Sequence, residues 1–145
     1  KEFSPKFDHT QLEQWPKYLI ARHWKNIHKI PFAFWRLKRF VSQYENFMQN
    51  FDILLTPTLG TTVPELGFFG PEVSGQDHWD RINDFLPFTK YQNISGAPAI
   101  TLPFGTDTKG LPIGIQLSSR LGEDRLLLKL SLQLEQNSNW KSLGK

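Results

Sequence analysis

Apolar positions recur along this chain first at helical spacing, then in short runs, then at helical spacing again. Leu12, Trp15, Leu19 and His23 recur at steps of three or four and predict a helix over residues 11–30, with Pro16 marking an early turn or kink. Pro31 separates it from a second helix over about 32–50. There Phe34, Leu37, Val41, Tyr44, Met48 and Phe51 define one apolar face, and Arg36, Lys38, Arg39, Gln43 and Glu45 the opposite one. Residues 53–56 then predict a short strand that Pro57 ends.

Residues 58–76 carry four glycines and two prolines, which predicts a long loop of the kind often kept for binding. Phe68-Phe69 within it would suit an apolar entrance or ordinary packing equally. Residues 77–94 are expected to be helical in two pieces around Pro87, the second ending at Gly96, where a C-cap takes left-handed backbone without a Cβ clash. An apolar strand at 99–103, turn residues around Asp107-Thr108-Lys109, and a second strand at 113–117 follow. Gly114 inside that strand signals a close backbone approach or a bulge. A last helix at about 123–137 buries Leu126, Leu127, Leu130 and Leu134. Residues 1–10 have no clear period and are expected to be a loop or the continuation of earlier structure.

Composition narrows the class. With 145 residues, 39% hydrophobic and 21% charged, the chain is long enough for one core and is expected to be globular. Twelve Phe and five Trp predict an aromatic-rich core. The absence of cysteine excludes disulfides and thiolate metal sites. No apolar run approaches the roughly 18–20 residues of a membrane helix. The net charge of +3 is mild.

Two ordered motifs carry more. One is Phe88-Thr89, a short gap, then Asn93-Ile94-Ser95-Gly96-Ala97-Pro98-Ala99, an apolar strand ending at Pro103, and Gly110-Leu111-Pro112-Ile113-Gly114-Ile115-Gln116. The other brackets it: Phe51-Asp52-Ile53-Leu54-Leu55-Thr56-Pro57-Thr58 before, and Arg120-Leu121-Gly122-Glu123-Asp124, Leu134-Glu135 and Trp140 after. Over roughly residues 35–140 this order resembles the C-terminal part of the amidase signature family, serine hydrolases that cleave carboxylic amides.

The resemblance implies an α/β class, with helices packed on a mixed β-sheet and residues 1–145 forming the C-terminal part of a single domain. Residues 1–50 would be a helical segment, and 51–145 would supply sheet, substrate channel and closing helix. Such a piece would not be a complete autonomous domain, and the lack of an initiating Met at Lys1 fits that expectation. The family's Ser-cis-Ser-Lys triad sits in a Gly-Gly-Ser-Ser stretch with an upstream lysine, neither of which occurs here. No catalytic residue is therefore expected in this chain. Ser118-Ser119 lacks a glycine-rich surround and is expected to help the turn into the last helix.

By resemblance, the segment before Phe88 lines the substrate channel. Asn83, Leu86 and Lys90 are the candidate substrate-binding residues, spaced to share one face if the helix is continuous. The competing reading makes them plain core positions. Members that act as glutamine-dependent transamidation subunits place an Asp two residues before the Phe-Thr pair; here that position is Leu86. An apolar side chain cannot pair with a substrate ammonium group, which argues for a substrate with an apolar part. Asn93 and Thr89 are expected to hold backbone.

His9, His23, His28 and His78 lack a metal-binding spacing and are expected to be ordinary surface residues. Arg22, Lys25, Lys29, Arg36, Lys38 and Arg39 alternate with Trp24, Phe32, Phe34 and Trp35. A nucleic-acid face would need such stacking aromatics, but helical periodicity predicts that the aromatics face a core and the cations water. The expected partners are the N-terminal part of the same protein and a small-molecule amide, with no nucleic acid, no membrane span, no cofactor and no metal, in the cytoplasm. A subunit of a glutamine-dependent amidotransferase and a stand-alone binding module are the alternatives. The module would unfold cooperatively on its own, whereas an incomplete domain would be molten or prone to aggregate.

Overall fold

The computed structural model describes residues 12–138. The expectations for residues 1–10, His9 and Trp140 lie outside the described residues. Helix α1 (Gln14–Lys25) has Pro16 in its first turn, where a missing N–H costs no helical hydrogen bond. A 3₁₀ turn (Ile27–Lys29) leads into α2 (Ile30–Met48), with Pro31 again in the first turn. Then come β1 (Leu54–Pro57), a loop, α3 (Gly75–Phe85), α4 (Lys90–Ser95), β2 (Ala99–Thr106), β3 (Pro112–Ser118) and α5 (Asp124–Gln136).

The three strands form one sheet in the order β1-β3-β2, antiparallel throughout. The mixed sheet expected from the sequence is thus corrected for the described residues. A tight turn joins β2 to β3 and forces antiparallel pairing there, and β1 adds antiparallel on the other side of β3. The turn is built by Asp107: its Oδ1 accepts the N–H groups of Lys109 and Leu111, both at 2.8 Å, and Gly110 turns the chain at φ 78°. Pairing slips between Pro103 and Gly105, so the irregularity lies in β2 beside Gly114.

Strand alternation divides the sheet into two faces. Ile100, Leu102, Ile115 and Leu117 meet Leu127, Leu130 and Leu134 of α5, with Ile53 at the margin. The other face meets α2 and the segment after α4, where Tyr44, Met48 and Ala97 are buried against Phe40 and Leu54. Tyr44 Oη donates to the Ser119 carbonyl (3.2 Å) and Glu45 accepts the Leu121 N–H (3.2 Å). Glu45, expected on the solvent face of α2, instead ties that helix to the turn before α5. Gly122 in this turn has φ 83° and gives the chain its reversal into α5.

The first half of the chain departs most from expectation. Trp24, Phe32, Phe34 and Trp35 are between 53% and 65% exposed, so the aromatics of the basic run do not face a core within the described residues. Of the α2 stripe only Tyr44 and Met48 are buried; Phe34, Leu37 and Phe51 are exposed. Helix α1 buries no residue and is held to α3 at its surface. The contacts are Trp15 stacked on His78 (4.6 Å), the Tyr18 hydroxyl donating to Gln76 (2.7 Å), and the Arg22 guanidinium 4.3 Å from the Trp79 ring centre. His78, expected as an ordinary surface residue, is half-buried between Trp15 and Phe69.

Candidate functional site

The candidate substrate segment begins with a well-formed helix start. Ser74 caps α3: its Oγ accepts the Asp77 N–H (3.1 Å) and donates to the Asp77 carboxylate (2.7 Å). The helix then runs to Phe85 and stops at Leu86, whose N–H still reaches the Ile82 carbonyl (2.9 Å) but whose ψ has turned to 53°. Pro87 follows and disfavours helical backbone at Leu86. Helix α4 starts three residues later.

This break decides how the candidate residues sit. Asn83 is half-buried in α3 and donates to the Trp79 carbonyl (2.7 Å). Leu86 is half-buried at the C-cap, and Lys90 is the exposed first residue of α4. The continuous helix that would have put all three on one face is absent, so only Asn83 and Leu86 share a helix end. Thr89 holds the N-cap position of α4 without a side-chain cap.

Two glycines hold the loop after β1 close to its neighbours. The Gly60 N–H donates to the Phe85 carbonyl (2.9 Å), and a Cβ at Gly60 would lie 2.2 Å from the Asp84 carbonyl oxygen and 2.6 Å from the Pro87 ring. The Thr58 N–H donates to the Gly114 carbonyl (3.0 Å), and a Cβ at Gly114 would lie 2.9 Å from Thr58 Oγ1. Gly114 is therefore a close approach, as its place in a strand signalled. Gly60 gave no such signal, because a glycine in a loop reads as a turn residue whether or not a helix end presses on it.

Behind the segment lies a polar strip on the sheet. Register places Thr56, Gln116, Ser118 and Thr101 on one face. Gln92 of α4 donates through Nε2 to Ser118 Oγ (3.0 Å), and Ser118 Oγ donates to the Leu54 carbonyl (3.4 Å). Thr56 Oγ1, Thr58 Oγ1, Gln92 Oε1 and Gln116 Nε2 are buried with no hydrogen-bond partner among the described residues. Four such atoms close together are uncommon in a finished core, where buried polar groups are nearly all paired.

Ser118 and Ser119 are fully buried, and their hydroxyls meet an amide and backbone carbonyls rather than a base. Ser119 Oγ donates to the Arg120 and Glu123 carbonyls, in the turn that leads into α5. The cap expected of Asn93 is made by Ser95: its Oγ reaches the Tyr91 and Gln92 carbonyls and accepts the Ala97 N–H, while Asn93 is exposed. Gly96 has φ 75°, the left-handed C-cap expected of it. In the long loop, Phe69 packs on His78 and Phe85 of α3, and Phe68 lies under the Arg81 guanidinium (4.7 Å). That is packing at the loop's own base, the second of the two readings of this pair.

Comparison with known proteins adds a frame to this geometry. The family model described as Amidase matches residues 6–128. The AmiC protein of Mycobacterium tuberculosis, named as a putative amidase, is 34% identical over 140 residues, which cover 97% of this chain and 29% of that protein. The solved structure of 6-aminohexanoate cyclic dimer hydrolase aligns with a TM-score of 0.64 at 31% identity, covering 72% of this chain and 23% of that one. A glutamyl-tRNA(Gln) amidotransferase component from Thermotoga maritima shares the fold, with a TM-score of 0.58 at 22% identity over 92% of this chain and 30% of its own. The chain thus spans under a third of each of these relatives.

Proposed function

The chain belongs to the amidase family, and from that premise we propose that it is the C-terminal part of a longer serine hydrolase that cleaves carboxylic amides. Its contribution is architectural and selective. The sheet and α5 close one side of the fold, and the α3–α4 segment with Asn83, Leu86 and Lys90 forms part of the substrate channel. The nucleophile, the cis-serine and the lysine base lie in the part that precedes this chain. The reaction is acyl transfer: serine attacks the amide carbon, the amine leaves, and water releases the acid from the acyl-enzyme.

Leu86 carries the reading of substrate class. It is half-buried, apolar and anchored at the mouth of the α3–α4 break. A side chain with no charge offers an amide's hydrocarbon part a surface and offers an ammonium group nothing. The intact protein should hydrolyse amides with an apolar acyl or amine part and lack glutaminase activity. Steady-state assays across aliphatic, aromatic and glutamine amides check this. Release of ammonia from glutamine in preference to apolar amides would replace this reading with the amidotransferase one. Leu86→Asp should raise KM for the best apolar amide by about tenfold, the scale of losing one buried apolar contact. An unchanged KM would take Leu86 out of the channel.

A further inference from the structure

Helix α2 presents two apolar surfaces, and they point in different directions. The packed side is set by Tyr44 and Met48. Trp35 lies nine residues before Tyr44, about two and a half turns at ~3.6 residues per turn, and so on the far side of the helix. Phe32 and Arg39 fall on that far side too. Among the described residues nothing buries these rings, which are 59% and 53% exposed at Phe32 and Trp35.

The far side is an organised patch. Phe32 and Trp35 stack on each other at 5.7 Å and 19°. The Arg36 guanidinium lies 5.9 Å from the Phe32 ring centre and that of Arg39 lies 5.4 Å from Trp35. Trp35, Arg36 and Arg39 also line an open groove of about 510 Å³, together with Leu37, Phe40 and Ile94. The stretch of chain that carries the patch has charges of one sign. Between Glu13 and Glu45 the sequence has seven Lys or Arg and no Asp or Glu. A helix with exposed aromatic rings set among cations suits the boundary between lipid headgroups and acyl chains. Nucleic acid is less well served, because the two rings already stack on each other and on guanidinium groups that bases would have to displace.

We propose that the Phe32–Trp35–Arg36–Arg39 face of α2 docks this protein on the surface of an anionic lipid bilayer, lying on it and not crossing it. No helix among the described residues is long and apolar enough to cross one. The inference does not depend on the amidase chemistry. It is tested by sedimenting the intact protein with vesicles of phosphatidylcholine alone and of phosphatidylcholine mixed with phosphatidylglycerol. Binding is expected to the mixed vesicles and to weaken as salt is raised. Phe32→Ser with Trp35→Ser, and separately Arg36→Gln with Arg39→Gln, should each weaken binding about tenfold while far-UV circular dichroism stays unchanged. The arginine pair keeps the test valid if the aromatic pair disturbs folding. Equal binding to both vesicle types, no binding, or binding that neither pair of substitutions weakens would overturn the proposal. So would tighter binding of a single-stranded polyuridine probe than of the vesicles, which would make the patch a nucleic-acid surface.

Discussion

Helices α5 and α2 are both amphipathic, yet α5 lays a leucine stripe on a sheet face, with Leu128 and Leu132 left exposed, while α2 leaves most of its stripe open. Helix α5 lays Leu127, Leu130 and Leu134 on a sheet face made of Ile100, Leu102, Ile115 and Leu117. Helix α2 buries only Tyr44 and Met48, at its C-terminal end, and leaves Phe32, Phe34 and Trp35 open. Periodicity names the face that is apolar, not the surface that will cover it. In α5 the cover is two strands close in sequence, whose alternation can be read. In α2 the apolar positions exceed what β1 and the residues after α4 can cover.

Substitutions can sharpen or break that contrast. The largest effect is expected at Leu127, 3% exposed in the α5 interface. Leu127→Ala should cost about 2–5 kcal/mol of stability in denaturant unfolding of the intact protein. A loss well below that range would mean the α5 interface is no better sealed than α2. Next comes Gly75, where α1 crosses α3 and a Cβ would lie 2.2 Å from Tyr18 Cβ. Gly75→Ala should cost about 1–3 kcal/mol and should release α1 as a site of early proteolysis. If α1 stays protected, its hold on α3 is stronger than its lack of buried residues implies. Removing the α3 cap by Ser74→Ala should cost about 1 kcal/mol, read from the same unfolding curves. The smallest effect is expected at Phe32, where a change to Ser should shift stability by less than about 0.5 kcal/mol. A loss of about 2 kcal/mol or more would mean the far side of α2 is packed, and the contrast would fail.

What could be read from the sequence follows the same division. The Gly96 cap, the Asp107–Gly110 turn and the two-piece helix around Pro87 rest on interactions within a few residues and are present. Of the leucine face expected of α5, Leu127, Leu130 and Leu134 reach the core, whereas Leu126 is not among the core residues. Strand direction is not a local property, so an antiparallel sheet stands where a mixed one was expected. The cap assigned to Asn93 belongs to Ser95 because a short hydroxyl nearer the helix end reaches the freed carbonyls, and both residues sit in the same motif. His78 reads as a surface histidine until α1, far away in sequence, brings Trp15 onto it. The shared face of Asn83, Leu86 and Lys90 required a helix that Pro87 interrupts. The orphaned polar atoms on Thr56, Gln92 and Gln116 had no sequence signal, since polar side chains in and beside strands read as solvent-facing.

The strand order carries a consequence for biosynthesis. The middle strand, β3, is the last of the three to be made, and Leu54 of β1 faces Ser118, 64 residues later. At a translation rate of about 5–20 residues per second, β1 waits roughly 3–13 seconds for the neighbour that pairs it. During that interval Leu54 and Leu55 sit in an unpaired segment able to join another nascent chain. Pro57, at the end of β1, cannot donate a ladder hydrogen bond, so it limits how far such a mispairing could spread.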